Sequence, residues 1–349
     1  MLWQNKTTEE RTAIIQSVAR VRNLEELAVE KDWWVTATLK ALFATSFADY
    51  LLFKGGTSLS KGWKNIDLKR FSEDIDIALS RKWFMREEVK SLYPFATCKN
   101  NNQIKLLRKA SRKVIFEQLS GEITKGLTAM GVTDFNVVNV TTEETATGTT
   151  PIATDRDPVV IDVEYNSILQ ENNPYITQKV KIEIICLSMD EPFENRRITS
   201  LIYDKYSNVD DGTVGDIPTV LPIRTFLEKA FLLNEEYQKA TPRTERMSRH
   251  LYDLEKMMDT YADLALADDE LYNAVIAHRK KFYHIGAVDY SKDEKSHITI
   301  CPNEMLEKAY ERDYKLMTNS IIYDKKPLSF ADLRRRIRDL EAKFRKGTK

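Results

Sequence analysis

The run "SEDIDIAL", residues 72–79, limits what this chain can fold into more than any other stretch. Ile75, Ile77 and Leu79 alternate with Asp74, Asp76 and Ala78, and strand side chains alternate faces with period two. Asp74 and Asp76 are therefore predicted on one face of a strand whose other face is apolar. Two carboxylates side by side repel each other, and a strand that carries both calls for a cation between them; hard oxygen ligands of this type suit Mg²⁺ with a bound phosphate. A D-x-D alone is also what a solvated polar sheet face carries.

What precedes the strand narrows the reading. A short apolar strand, residues 50–53, runs into Gly55-Gly56, and a short helix is predicted over 57–63. Adjacent glycines after a strand let backbone N–H groups approach an anion, and the helix start adds partial positive charge. Thr57 and Ser58 add hydroxyls there, and Lys61 follows one turn on. Lys61 stands between Ser60 and Gly62, so the stretch lacks the G-K-[ST] ending of a Walker A loop.

Around this point the chain divides by pattern. Residues 8–48 read as helices, and a long helix is predicted at about 103–130, carrying Lys105, Arg108, Lys109, Arg112 and Lys113. Strands are predicted at 134–140, 157–166 and 178–187, with a Thr-rich surface excursion, "TTEETATGTTPIATDRD", between the first two. From about 222 to the end the pattern is helical. The organisation expected is an αβ domain with N-terminal helices, 1–220, followed by a helical domain, 221–349.

The 349 residues hold 42% apolar and 30% charged side chains, with 53 Lys and Arg against 53 Asp and Glu. This is a globular composition, and with zero net charge any electrostatic partner must be met by a local patch. Cys98, Cys186 and Cys301 are odd in number and far apart, which argues against a disulfide framework or zinc cluster and fits buried thiols in a reducing compartment. No run approaches the roughly 20 apolar residues of a membrane span, and the N-terminus lacks a signal-peptide pattern. A cytoplasmic protein without membrane contact is expected. No heptad seam marks a dimer, so a monomer is the default.

"KGGTSLSKGW" followed by "RFSEDIDIAL" resembles the first motif of the nucleotidyltransferase-fold superfamily, and more narrowly the AbiEii/AbiGii abortive-infection toxin branch, with its GGT-x-L and R-x-S-x-D-x-D. The 16 residues separating Thr57 from Asp74 make a longer loop than is general in the superfamily. "VKIEIICLSMDEPFENRRITSLI" resembles the K-I-E segment and the E-P-x-E-x-R-x-I run, which assigns the third carboxylate to Glu183. Asp162 and Glu164 in "VVIDVEYN" are alternatives, since both project from one face of a predicted strand. Lys181 shares the face of Glu183 and could pair with it. "PIRTFLEKAFLL" resembles the basic motif and maps the phosphate-contacting lysine onto Lys229; "SRHLYDLEKM" resembles the last motif and maps its aspartate onto Asp253. Arg246, Arg249 and Asp253 would share a helix wall, and His250 reads as a packed helix histidine.

The resemblance implies an α+β fold of the polymerase-beta-like nucleotidyltransferase type, a mixed sheet with helices followed by a helical part that completes the nucleotide site. It further implies an enzyme that transfers a nucleoside monophosphate from a nucleoside triphosphate to an acceptor hydroxyl. Asp74, Asp76 and Glu183 would hold Mg²⁺ or Mn²⁺; Gly55, Gly56, Thr57, Ser58, Lys61 and Lys229 would hold the phosphates. The implied partners are tRNA or another RNA as acceptor and a cognate antitoxin in a phage-defence pair. The basic run at 105–113 and the C-terminal "RRRIRDLEAKFRK" are RNA-backbone candidates, although such runs are more often solvated helix faces. A protein or small-molecule acceptor, or a non-catalytic nucleotide-binding regulator, are the competing readings.

Overall fold

The structure, a computed structural model, describes residues 2–86, 98, 100–145, 148–169, 173, 176–210, 214–283 and 285–346. They form two compact units. One comprises Met1–Gly62 and Ser72–Thr219; the other comprises Trp63–Phe71 and Val220–Lys349.

The first unit is built on a seven-stranded mixed sheet in the order β3-β6-β7-β2-β1-β9-β8. Its strands are β1 (Leu51–Lys54), β2 (Ile75–Leu79), β3 (Phe135–Asn139), β6 (Val159–Tyr165), β7 (Lys179–Ile185), β8 (Phe193–Ile198) and β9 (Val214–Val220). β2 runs antiparallel to β1 and parallel to β7; β6 is antiparallel to both β7 and β3, and β9 is parallel to β1. The Thr-rich excursion is a separate hairpin of β4 (Thr142–Thr145) and β5 (Gly148–Pro151). The β2 bounds are those the alternation predicts. β8 and β9 have no counterpart in the sequence reading, because neither combines period-two alternation with β-branched enrichment over its length.

One face of this sheet is closed and apolar. Ile75, Ile77, Leu79, Ile161, Val163, Val180, Ile182 and Ile184 are all buried, each such side chain worth about 1.5–3 kcal/mol of transfer free energy. Helix α2 (Glu26–Leu42) is buried nearly all round and packs against the sheet and against α5 (Ser120–Ala129). α1 (Thr8–Arg22) lies on α2 and opens with a capping box: the Thr7 hydroxyl accepts from Glu10 N, and Thr7 N donates to the Glu10 carboxylate. α3 (Gly55–Gly62) begins on the glycines themselves, two residues earlier than predicted. The long helix at 103–130 is α4 (Asn101–Val114) and α5, joined by a π turn at Ile115–Leu119. A short helix, α6 (Leu201–Lys205), follows β8.

The second unit is helical: α7 (Pro222–Tyr237), α8 (Ser248–Ala267), α9 (Asp269–His278), α10 (Glu304–Ser320) and α11 (Phe330–Lys346). Phe226, Phe231, Leu251, Leu254, Ile337 and Phe344 are among its fully buried side chains. The segment Trp63–Phe71 belongs to this unit and is stitched to the stretch after α10: Phe71 N donates to Ile321 O (2.7 Å) and Tyr323 N to Lys69 O (3.1 Å). All three cysteines are free and buried. Among the described residues no helix is long and apolar enough to cross a membrane.

Candidate active site

The pairing of β2 with β7 brings acids together. Asp76 stands directly opposite Glu183 across the parallel pair and opposite Lys54 across the antiparallel one. A row Lys54, Asp76, Glu183 therefore crosses three strands on the face opposite the buried isoleucines. Lys181 lies two residues before Glu183 on that face and pairs with it at 3.7 Å. Asp162 and Glu164 are one strand farther out, opposite Lys181 and Lys179. Asp162 is buried and takes the Lys179 ammonium at 2.6 Å, whereas Glu164 is exposed. Of the three candidates for the third acid, Glu183 is thus the one beside Asp76. Asp74 precedes the strand and is half-buried.

Among the described residues no three His, Cys, Asp or Glu side chains are gathered as a ready-made metal cage. The cross-strand carboxylates of Asp76 and Glu183 are nonetheless the donor set that Mg²⁺ uses, one or two carboxylates with the other positions left to water and substrate phosphate.

The glycine turn is shaped around Asp76. Gly55 has φ +80°, in the left-handed region, and a Cβ there would overlap the Asp76 carboxylate. The helix start and the aspartate approach each other only because that position has no side chain. Thr57 and Ser58 are fully buried. The Thr57 hydroxyl donates to Asp74 O and lies 3.0 Å from Ser72 Oγ, from which it can accept, and the Ser58 hydroxyl donates to Gly55 O (2.9 Å), so both brace the loop from within.

Lys61 departs from its expected phosphate contact. Its ammonium turns toward α2, donating to Asp32 Oδ1 (2.5 Å), Thr36 Oγ1 (3.0 Å) and Thr199 O (3.3 Å). Lys61 sits on the buried side of α3, which the amphipathic pattern of an eight-residue helix is too short to reveal. The neighbouring α2 residues Glu30 and Lys31 are buried as well, and Lys31 reaches Glu73, the residue before Asp74, at 2.5 Å. No local signal in the sequence separates these charges from surface ones.

The helical unit, taken by itself, holds a buried charge cluster. Asp253 on α8 is fully buried and accepts two bonds from Arg70, at 2.6 Å from Nε and 2.7 Å from Nη2, with the Lys229 ammonium of α7 at 2.9 Å. Burial alone would raise the Asp253 pKa, but Arg70 and Lys229 outweigh it and hold the carboxyl well below the usual range. Burial pushes the Lys229 ammonium down, and Asp253 opposes that. His250 is buried beside them and held neutral, by burial first and then by Lys229 and Arg249. Arg246 lies before α8 with φ +58°, its N–H donating to Asp313, so it does not share a helix wall with Arg249. Arg70, the first residue of the R-x-S-x-D-x-D stretch, is the partner of Asp253 that the sequence motifs leave unassigned.

The two basic runs are largely engaged within their own units. Arg108 faces Asp157 (3.5 Å), and Arg112 is buried, donates to Val140 O and covers the Phe116 ring. In α11, Arg334 pairs with Glu307 (2.6 Å), Arg335 with Asp332 (3.0 Å) and Arg336 with Glu255 (2.8 Å) and Asp259. In both runs most of these cations already have a partner within the unit.

A sequence-family profile described as "Nucleotidyl transferase AbiEii toxin, Type IV TA system" matches residues 37–343. The chain belongs to the AbiEii nucleotidyl transferase toxin family. The match extends from α2, through the β1 turn and the acid-bearing strands, to α11, and so takes in both units. Solved structures similar to this AbiEii chain include JHP933 from Helicobacter pylori, 19% identical over 91% of this chain and 98% of that one, with a TM-score of 0.35. MenT4, a nucleotidyltransferase toxin from Mycobacterium tuberculosis H37Rv, is 16% identical over 95% and 99% of the two chains, with a TM-score of 0.41. A comparison with curated protein sequences finds no match.

Proposed function

We propose that this AbiEii-family chain is the toxin of a toxin–antitoxin pair acting in the cytoplasm, and that it transfers a nucleoside monophosphate from a nucleoside triphosphate to the hydroxyl of an RNA acceptor, with tRNA the first candidate. The observation that carries the reading is Asp76 facing Glu183 across paired strands with the Gly55 turn closed against Asp76. Asp74, Asp76 and Glu183 would hold Mg²⁺ or Mn²⁺, which when bound neutralises triphosphate charge and lowers the pKa of the acceptor hydroxyl. The chain's own contribution is placement. The backbone N–H groups at the start of α3 face the phosphates, with Thr57 and Ser58 keeping that turn in shape, and in-line attack on the α-phosphorus expels pyrophosphate. Lys229 and Asp253 enter through the family motifs; the buried Arg70–Asp253–Lys229 cluster supports a role for Asp253 in holding the lysine rather than in touching metal.

The engagement of both basic runs in internal pairs favours a second reading, an acceptor that is a protein or a small molecule. The deciding experiment incubates purified protein with Mg²⁺, each α-labelled nucleoside triphosphate and total bacterial RNA, beside Asp74→Ala and Asp76→Ala variants. Label in a tRNA-sized band with wild type only supports the first reading. Label in protein or in a small molecule supports the second, and nucleotide binding without transfer to anything refutes both.

A further inference from the structure

Three consecutive charged residues near the start of α2, Glu30, Lys31 and Asp32, are buried in the αβ unit. Removing each ion from water costs several kcal/mol, and a buried pair is weak support for stability, since apolar replacements of similar volume often do as well. What these residues do share is that their side-chain partners come from other parts of the unit: those of Glu30 and Lys31 from segments that flank strands, those of Asp32 from α3 and from the start of α6. Glu30 accepts from Ser167 Oγ and Ile168 N, between β6 and β7; Asp32 accepts from Lys61 and from Leu201 N.

Lys31 has the most telling partners. It is 1% exposed, and its ammonium donates to Glu73 Oε2 (2.5 Å), Thr177 O (2.8 Å) and Thr177 Oγ1 (3.4 Å). Glu73 is two residues before the start of β2, and Thr177 is two residues before the start of β7. β2 and β7 run parallel, so one ammonium holds both strands at the same end. Asp74 follows Glu73 directly, and its charge acts on Lys31. The register fixed there, Ile75 opposite Ile182, is the register that sets Asp76 opposite Glu183. A slip of one residue in either strand would send its acid to the closed face.

We propose that Lys31 is a positioning residue for nucleotidyl transfer: by fastening Glu73 and Thr177 to α2 it fixes Asp74, Asp76 and Glu183 relative to one another. The inference rests on the transfer reading above and assigns Lys31 no contact with substrate. Its effect passes through Glu73, so removing either end of that link removes the same thing.

The test compares full-length wild type with Lys31→Met, Glu73→Gln and the double variant. The readouts are kcat and KM for the labelled nucleotide, thermal melting, and hydrogen–deuterium exchange of residues 72–79 and 177–185 with α8 as the internal reference. The double variant leaves no unpaired buried charge and keeps the test readable if Lys31→Met alone fails to fold. Expected are a fall in kcat of about 10–100-fold, the scale of a small misplacement of reacting groups, and a KM within about threefold of wild type. The double variant is no slower than Lys31→Met by more than about twofold, because effects acting through one link do not multiply. Exchange rises in both segments and stays unchanged in α8. Wild-type kcat in the double variant, a loss confined to KM, or multiplying effects would overturn the proposal. If wild type transfers no label, the transfer reading fails separately, and exchange then decides whether Lys31 clamps the strands: unchanged protection of 72–79 and 177–185 would show that it does not.

Discussion

Gly55 and Asp76 share one small volume. The φ of +80° at Gly55 costs a side chain about 1–2 kcal/mol, and the Asp76 carboxylate occupies the place where that side chain would begin. Gly55→Ala is therefore expected to destabilise the protein by about 1–3 kcal/mol and to lower transfer by at least two orders of magnitude, since the helix start and Asp76 must separate; urea unfolding beside the labelled-nucleotide assay measures both. In the helical unit, Asp293 shows how burial changes a carboxyl. It is fully buried, accepts from Asn234 through Oδ1, and has no hydrogen-bond partner on Oδ2 among the described residues. Burial, with Glu235 adding to it, pushes its pKa up to about 7 against the opposing pull of Asn234 and Arg279. Between the ordinary aspartate range and about pH 7 the folded state then holds a proton that the unfolded state has released, so stability falls as pH rises through that window. Urea unfolding should show about 1–3 kcal/mol lost between pH 5 and 7 from this group. Asp293→Asn should flatten that segment of the profile, and an identical slope in the variant would refute the assignment.

At the scale of elements, what could be read from the sequence was whatever a local period or turn enforces. β2 follows from strict alternation of Ile75, Ile77 and Leu79 with the two aspartates, and the glycine turn from Gly55-Gly56 after an apolar strand. The Lys181–Glu183 pair follows from the same period, and the structure has it at 3.7 Å. The K-I-E resemblance points to Glu183, while its place beside Asp76 comes from the strand order: β7 next to β2, with β6 one place out, is a long-range fact that no window of sequence contains. α2 hid its content for a related reason. Glu30, Lys31 and Asp32 look like an exposed polar patch on a helix, yet they are buried because segments more than 25 residues away supply their partners. The Lys61 ammonium is turned toward α2 for the same kind of reason, since its partner Asp32 lies 29 residues earlier. β8 and β9 were missed because "FENRRI" and "VGDIPTV" carry charge, glycine or proline where a strand signal needs β-branched residues.

Across the whole molecule the charges cancel, 53 against 53, and the runs that look most like nucleic-acid patches are largely neutralised within their own units. Arg334, Arg335 and Arg336 each have a carboxylate partner, as do Lys343 and Arg345 of the same helix and Arg108 of α4. A cation paired with a buried carboxylate, as Arg336 is with Glu255, gains little by moving to a phosphate, because the carboxylate left behind stays buried and loses its partner. Each phosphate neutralised by a protein cation adds about 0.7–0.9 to the slope of log affinity against log salt. RNA binding by this chain is therefore expected to be weak and to show a slope no steeper than about −3 between 50 and 200 mM KCl, measured by filter binding with total tRNA in the absence of nucleotide. A slope near −6 or beyond would mean that the arginines of α11 leave their carboxylates for phosphate, and Arg335→Ala with Arg336→Ala should then reduce it by about two. A shallow slope together with efficient transfer would mean that the acceptor is held by contacts other than its backbone charge.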